Sequence, residues 1–240
     1  MRIFENCLEA INEITRDVFS RGLIVFDQTV QAKIVTKEEY DSKELIGYGY
    51  ILKSGCDKNE MLNWARNTFN KPHLTPEYAE AWFQDMIRGT PDNPDPSWTF
   101  WPEYWTQFMD SNKKLSYAYA ERMSSTLPNV IDALKKSRYR RGATIPIFTP
   151  IDTNRIGKER IPCSISYSFY VRPGTFYDLL TLVYFMRSSD LCNFFPIDVY
   201  RALRLKEYVA EELKVVPGDL IHFIGSLHAF RKDVPKDRQW

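Results

Sequence analysis

The stretch Ile161-Pro162-Cys163-Ser164-Ile165-Ser166-Tyr167-Ser168-Phe169-Tyr170-Val171 sets one thiol in an alternating, strand-like run, and Arg187-Ser188-Ser189-Asp190 follows after a second apolar run. Positive charge near a cysteine favours its thiolate, and only the thiolate is a strong nucleophile. Cys163 is therefore the first candidate for chemistry. A buried strand cysteine is the ordinary alternative for this residue type.

Outward from that stretch the pattern is α+β. Downstream, Ile197, Ala202, Leu205, Tyr208 and Val209 predict a helix over residues 197–213, with Pro217-Gly218 ending the segment after it. A last strand over 220–224 then delivers Gly225-Ser226-Leu227-His228. Upstream, a helix from about Leu127 leads to Ser137-Arg138-Tyr139-Arg140-Arg141-Gly142, with strand-like residues on to Phe148. Ile3, Phe4, Leu8, Ile11, Ile14 and Val18 open the chain at helical spacing, before strands at 23–26 and 44–52 and helices at 57–70 and 76–88. Residues 89–97 form a Pro-rich loop. Because Trp98, Phe100, Trp101, Tyr104 and Trp105 follow it at once, it reads as an ordered insertion within one domain spanning 1–240.

Composition narrows the function classes. At 44% hydrophobic and 15% aromatic residues the chain can build a sizeable core. Its 32 basic and 31 acidic residues nearly cancel, which removes a global electrostatic case for nucleic acid or membrane binding. Any anion site must be local. Cys7, Cys56, Cys163 and Cys192 form no CxxC pair, and three histidines give little support to a zinc site. With no signal-peptide core and no apolar run of membrane-spanning length, the expectation is a soluble, cytoplasmic protein in a reducing setting.

Taken in order, Arg140-Arg141, Pro162-Cys163, Arg187-Ser188-Ser189-Asp190, Pro196-Ile197-Asp198, Pro217-Gly218-Asp219 and Gly225-Ser226-Leu227-His228 resemble the thymidylate synthase superfamily. The strand Ile46-Gly47-Tyr48-Gly49-Tyr50 and the short chain look more like its phage deoxycytidylate hydroxymethylase branch. The resemblance implies a twisted mixed β-sheet covered by helices, a sheet-mediated homodimer, a pyrimidine nucleoside monophosphate as substrate and 5,10-methylenetetrahydrofolate as cofactor. It implies neither nucleic acid nor membrane as a partner, and no metal.

Residue by residue, the resemblance makes Cys163 the nucleophile that adds to pyrimidine C6 and activates C5 toward the one-carbon unit. Arg187 and Ser188 would bind the nucleotide phosphate, and Arg140 and Arg141 would reach the phosphate in the neighbouring subunit; planar guanidinium donors suit that task. Asp190 would contact the pterin, Tyr119 would join the active-site water network, and His228 would bind the sugar 3′-hydroxyl. Asp198 stands where thymidylate synthases have asparagine and cytosine hydroxymethylases have aspartate. A carboxylate accepts from a cytosine amino group, so the expected activity is 5-hydroxymethylation of CMP or dCMP. As an acid near the start of a predicted helix, Asp198 also suits a cap. The alternatives are a dUMP or UMP C5 methyltransferase and a catalytically impaired nucleotide-binding protein.

The pattern also departs from the family. Met61 occupies the place of the water-ordering glutamate three residues before Trp64, with Glu60 one residue early; Glu60 is the candidate for that role. Phe230 replaces a sugar-binding tyrosine, Ser168 a glutamine and Phe194 a small residue. The chain ends at Trp240 without the long tail that closes over folate in many synthases, so cofactor closure is expected to differ.

Overall fold

Asn6 starts the first helix by accepting a hydrogen bond from the Glu9 N–H, which fixes the entry point of α1 (Cys7–Arg21). Its buried Ala10, Ile11, Ile14 and Val18 recur at three- and four-residue spacing. Ile3 and Phe4, expected in this helix, instead lie in β1 (Arg2–Phe4), upstream of the capping residue. The computed structural model describes residues 1–26, 28–30 and 33–236. The expectation drawn from the chain end at Trp240 lies outside the described residues.

Short strands β2 (Leu23–Val25), β3 (Gln28–Val30) and β4 (Lys33–Val35) precede the long β5 (Ser42–Leu52). Asp57 caps α2 (Lys58–Phe69), and Thr75 caps α3 (Pro76–Ile87), whose first turn accepts the proline. The segment after α3 is tied down rather than free: Asn93 Nδ2 donates to the Leu115 carbonyl, and Asp95 accepts from the backbone N–H groups of Tyr119 and Ala120. Short helices α4 (Pro102–Trp105) and α5 (Tyr119–Met123) then lead to α6 (Thr126–Lys136), β6 (Thr144–Pro146) and α7 (Pro150–Thr153). The chain continues through β7 (Ser164–Arg172), β8 (Leu179–Asp190), α8 (Phe195–Leu213) and β9 (Val216–Phe230).

The mixed sheet has the order β1-β5-β9-β8-β7-β6, with β2 pairing β5. Strand β9 runs parallel to β8 and antiparallel to β5. Alternation buries Leu180, Leu182, Tyr184 and Met186 of β8, and Leu220, His222 and Ile224 of β9, on one side. The strands exceed their expected limits. Arg187 to Asp190, read as following the second apolar run, are the last residues of β8, and β9 incorporates Pro217-Gly218 as well as Gly225 to His228. The reason is pairing: Ser188, Ser189 and Asp190 stand opposite Ser226, Leu227 and His228, so the sheet ladder carries both motifs.

Candidate active site

The ends of β8 and β9, the approach to β7 and the first turn of α8 converge on a cavity of about 390 Å³. Cys163, Arg187, Ser188 and Asp190 line it, together with Asp198, His228 and Tyr119. A register shift between Ser164 and Ser166 opens β7, and the Arg187 N–H donates to the Cys163 carbonyl at 2.8 Å. This bond holds the thiol beside the guanidinium: Arg187 Nη2 is 3.7 Å from Cys163 Sγ. Arg187 is itself fixed by donating Nε to the Pro162 carbonyl at 2.8 Å and Nη2 to the Ile161 carbonyl at 3.1 Å. Burial raises the Cys163 thiol above its usual range, while the Arg187 charge opposes that rise. The expected thiolate stabilisation is thus present as a countercharge that burial outweighs in this state.

Gly225 makes the arrangement sterically feasible. A Cβ at this position would lie 2.6 Å from the Arg187 carbonyl oxygen, so only glycine allows β9 to pass the arginine at this spacing. His228, three residues on, has Nδ1 at 3.3 Å from Ser226 Oγ and stands edge-on to Phe230 at a centroid distance of 5.0 Å. Phe230 also lines the cavity, which gives the expected sugar side an aromatic wall in place of a hydroxyl. Ser168 points elsewhere, its Oγ 2.9 Å from Thr144 Oγ1.

Asp198 is not the unengaged carboxylate that cytosine recognition requires. One turn along α8, the fully buried Arg201 binds its Oδ1, and Ser189 Oγ donates to Oδ2 at 3.4 Å. The Arg201 guanidinium lies 4.0 Å from the Trp82 ring centroid and 4.6 Å from that of Tyr119, a cation held between aromatic faces. Burial raises the Asp198 carboxyl above the ordinary carboxylate range, and Arg201 pulls it down. The cap alternative also fails in detail, because Asp198 lies inside the helix and its N–H donates to the Phe194 carbonyl.

Tyr119 is positioned from two sides. Asp95 anchors its backbone, while its hydroxyl meets Ser164 Oγ at 2.9 Å, and that Oγ meets Tyr184 Oη at 2.6 Å. Burial keeps the Tyr119 phenol protonated. Asp190 accepts from the N–H groups of Cys192 and Asn193 through Oδ1 and from Asn193 Nδ2 through Oδ2, leaving acceptor capacity beside the aromatic Phe194.

Three expected residues are not brought to this cavity. Glu60 is exposed in the first turn of α2, while its neighbour Met61 is buried in the core. The one-residue displacement turns the carboxylate about 100 degrees around the helix axis from the buried Met61, toward solvent. Arg140 and Arg141 are exposed beyond the end of α6. Conversely, the sequence reading missed Arg201 and Arg160. The guanidinium of Arg160 lines the cavity 4.5 Å from the Trp105 ring centroid and 4.8 Å from that of Tyr117. The opposite charges of Asp198 and Arg201 at helical i,i+3 spacing were a usable signal for the first. Nothing local distinguished the second.

Among the described residues no cluster of potential metal ligands occurs, and no helix is long and apolar enough to cross a membrane.

A thymidylate synthase family profile matches residues 60–239. The chain is 26% identical over 133 residues to a thymidylate synthase relative from Methanococcoides burtonii, covering 53% of this chain and 58% of that protein. It therefore spans little more than half the length of that relative. Its fold is similar to thymidylate synthase from T4 phage, with TM-score 0.64 and 18% identity, covering 91% of this chain and 75% of the other. Thymidylate synthase A from Bacillus subtilis gives TM-score 0.68 and 15% identity, covering 94% and 80%. These findings overturn the expected CMP or dCMP hydroxymethylase activity: the family and these relatives are thymidylate synthases, and nothing singles out the hydroxymethylase branch.

Proposed function

This chain belongs to the thymidylate synthase family, and from that premise we propose that it is a folate-dependent one-carbon transferase that methylates C5 of a uracil nucleoside monophosphate. The observation that carries the proposal is Cys163 Sγ 3.7 Å from Arg187 Nη2 on the wall of a cavity of nucleotide-accommodating size. Cys163, on losing its proton, forms the S–C6 bond, and the displaced π electrons make C5 nucleophilic. Arg187 offsets the charge of the attacking sulfur, and its Nη1, without a partner among the described residues, is available to the substrate phosphate together with Ser188.

The family cofactor, 5,10-methylenetetrahydrofolate, supplies the one-carbon unit and the hydride that reduces it. The donor set fits that group: Tyr104 and Phe194 offer aromatic surface for a pterin, and Asp190 offers an acceptor. The same aromatic wall keeps water from the exocyclic carbon, and exclusion of water favours methylation over hydroxymethylation. Tyr119 holds a proton at its hydroxyl and orients the polar side of the cavity through Ser164. Asp198, held by Arg201 and Ser189, fixes the Arg201 charge at the cavity wall. His228 takes the sugar.

The reading includes a homodimer. The side of the sheet opposite the buried alternation exposes Phe185 and Phe223, stacked at 5.1 Å, an apolar surface suited to a second copy. In such a dimer the exposed Arg140 and Arg141 would serve the phosphate in the partner site.

Separate incubations with UMP, dUMP, CMP and dCMP, each with methylenetetrahydrofolate, test the proposal by mass analysis. A uracil nucleotide product about 14 mass units heavier is expected, and Cys163→Ala should abolish it while retaining nucleotide binding. A cytosine nucleotide product about 30 mass units heavier, or turnover by Cys163→Ala, overturns it.

A further inference from the structure

Away from the cavity, two thiols meet across 49 positions of sequence. Cys7, the first residue of α1, is fully buried, and Cys56 is partly exposed in the turn between β5 and α2. The Cys7 thiol donates to Cys56, with Sγ atoms 2.8 Å apart. That is within a small displacement of the about 2.05 Å of a disulfide bond. Neither sulfur belongs to the cavity chemistry, and the two segments already pack against each other through α1 and α2.

We propose that Cys7 and Cys56 are a redox modification site, converted by a low-molecular-weight disulfide such as oxidised glutathione into a reversible intrachain disulfide. Cys56 is the sulfur that an external oxidant reaches. The hydrogen bond from Cys7, with the charges of Lys206 and Lys58, favours the Cys56 thiolate, whereas donating that bond and burial hold the proton on Cys7. Lys206 is held in place by donating to the Gly218 carbonyl.

The Cys56 thiolate attacks one sulfur of oxidised glutathione; its S–S bond breaks, and the first glutathione leaves as a thiolate that takes up a proton. Cys7, giving its proton to solvent, then attacks the Cys56 sulfur of the mixed disulfide, and the second glutathione leaves in the same way. The two protein thiols lose two electrons and two protons, and oxidised glutathione becomes two reduced molecules. The product ties the start of α1 to the approach of α2 and restrains the unfolded chain. Cys163 takes no part.

The test uses the reduced full-length chain, incubated with oxidised glutathione, quenched with acid, alkylated and digested without reductant. The expected result is a peptide pair linking Cys7 to Cys56 in a chain about 2 mass units lighter. A rise in Tm of roughly 5–10 °C, reversed by dithiothreitol, should accompany it. In Cys7→Ser the Tm rise should vanish and Cys56 should carry glutathione, about 305 mass units heavier. Cys56→Ser, at the partly exposed position, should equally abolish the cross-link and guards against a folding defect in the buried variant. Free, alkylatable Cys7 and Cys56 after incubation, or linkage only to Cys163, Cys192 or a second chain, overturns the proposal.

Discussion

Arg201 lies between two aromatic faces with no exposure to solvent and binds Asp198, so its charge is tolerated only because the carboxylate and the rings replace water. Removing one partner strands the other. Arg201→Met should therefore destabilise the protein by about 3–5 kcal/mol in chemical denaturation, and adding Asp198→Asn should recover most of the loss. Asp198→Asn alone should likewise strand the Arg201 charge and lower the denaturation midpoint, and a midpoint as high as that of the unaltered chain would defeat the pairing. At this scale the sequence was informative where a motif fixes a residue type. Cys163, Arg187, Asp190, Asp198 and His228 all reach one cavity. Glu60 does not: it stands exposed on α2, about 100 degrees around the helix axis from the buried Met61.

Between the residues and the cavity stand β8 and β9, whose parallel ladder sets Ser188 opposite Ser226 and Asp190 opposite His228. The closest passage is at Gly225 beside the Arg187 carbonyl. Gly225→Ala should force the strands apart and displace the guanidinium from Cys163. A loss of about 1–3 kcal/mol in stability and more than about tenfold in turnover is expected, as for an overpacked site. Gly142→Ala, where an added Cβ meets nothing within 4 Å, should leave stability nearly unchanged and serves as the control. Periodicity revealed these strands but truncated them, because it reports side-chain alternation and is blind to backbone pairing. Pro217-Gly218 reads as a stop in sequence, yet both residues lie in β9.

For the molecule as a whole, buried titratable groups set the acid limit. Burial lowers His222 to about 3, with Nδ1 held 2.9 Å from Tyr50 Oη, and lowers His73, stacked at 3.7 Å on Trp101, to about 4. Both are depressed below the unfolded histidine value of about 6.5, so their contribution is complete above that pH and is lost as pH falls toward the folded values. Asp95 acts oppositely: burial raises it to about 6, so its contribution is lost as pH rises from about 4 to 6. The histidine contribution should appear as a denaturation midpoint that falls as pH drops below about 6.5, and His222→Gln should flatten that slope.

By itself the sequence determined the longer helices and strands, the apolar faces that build the core and the spacing of the family motifs, since all of these repeat or recur along the chain. Only the tertiary structure decided that Arg201 occupies Asp198, that Glu60 stands outside the cavity, and that Cys7 meets Cys56. The physical reason is common to the three. Each depends on a direction about a helix axis or on a contact between distant segments, and packing fixes both after the local pattern has done its part.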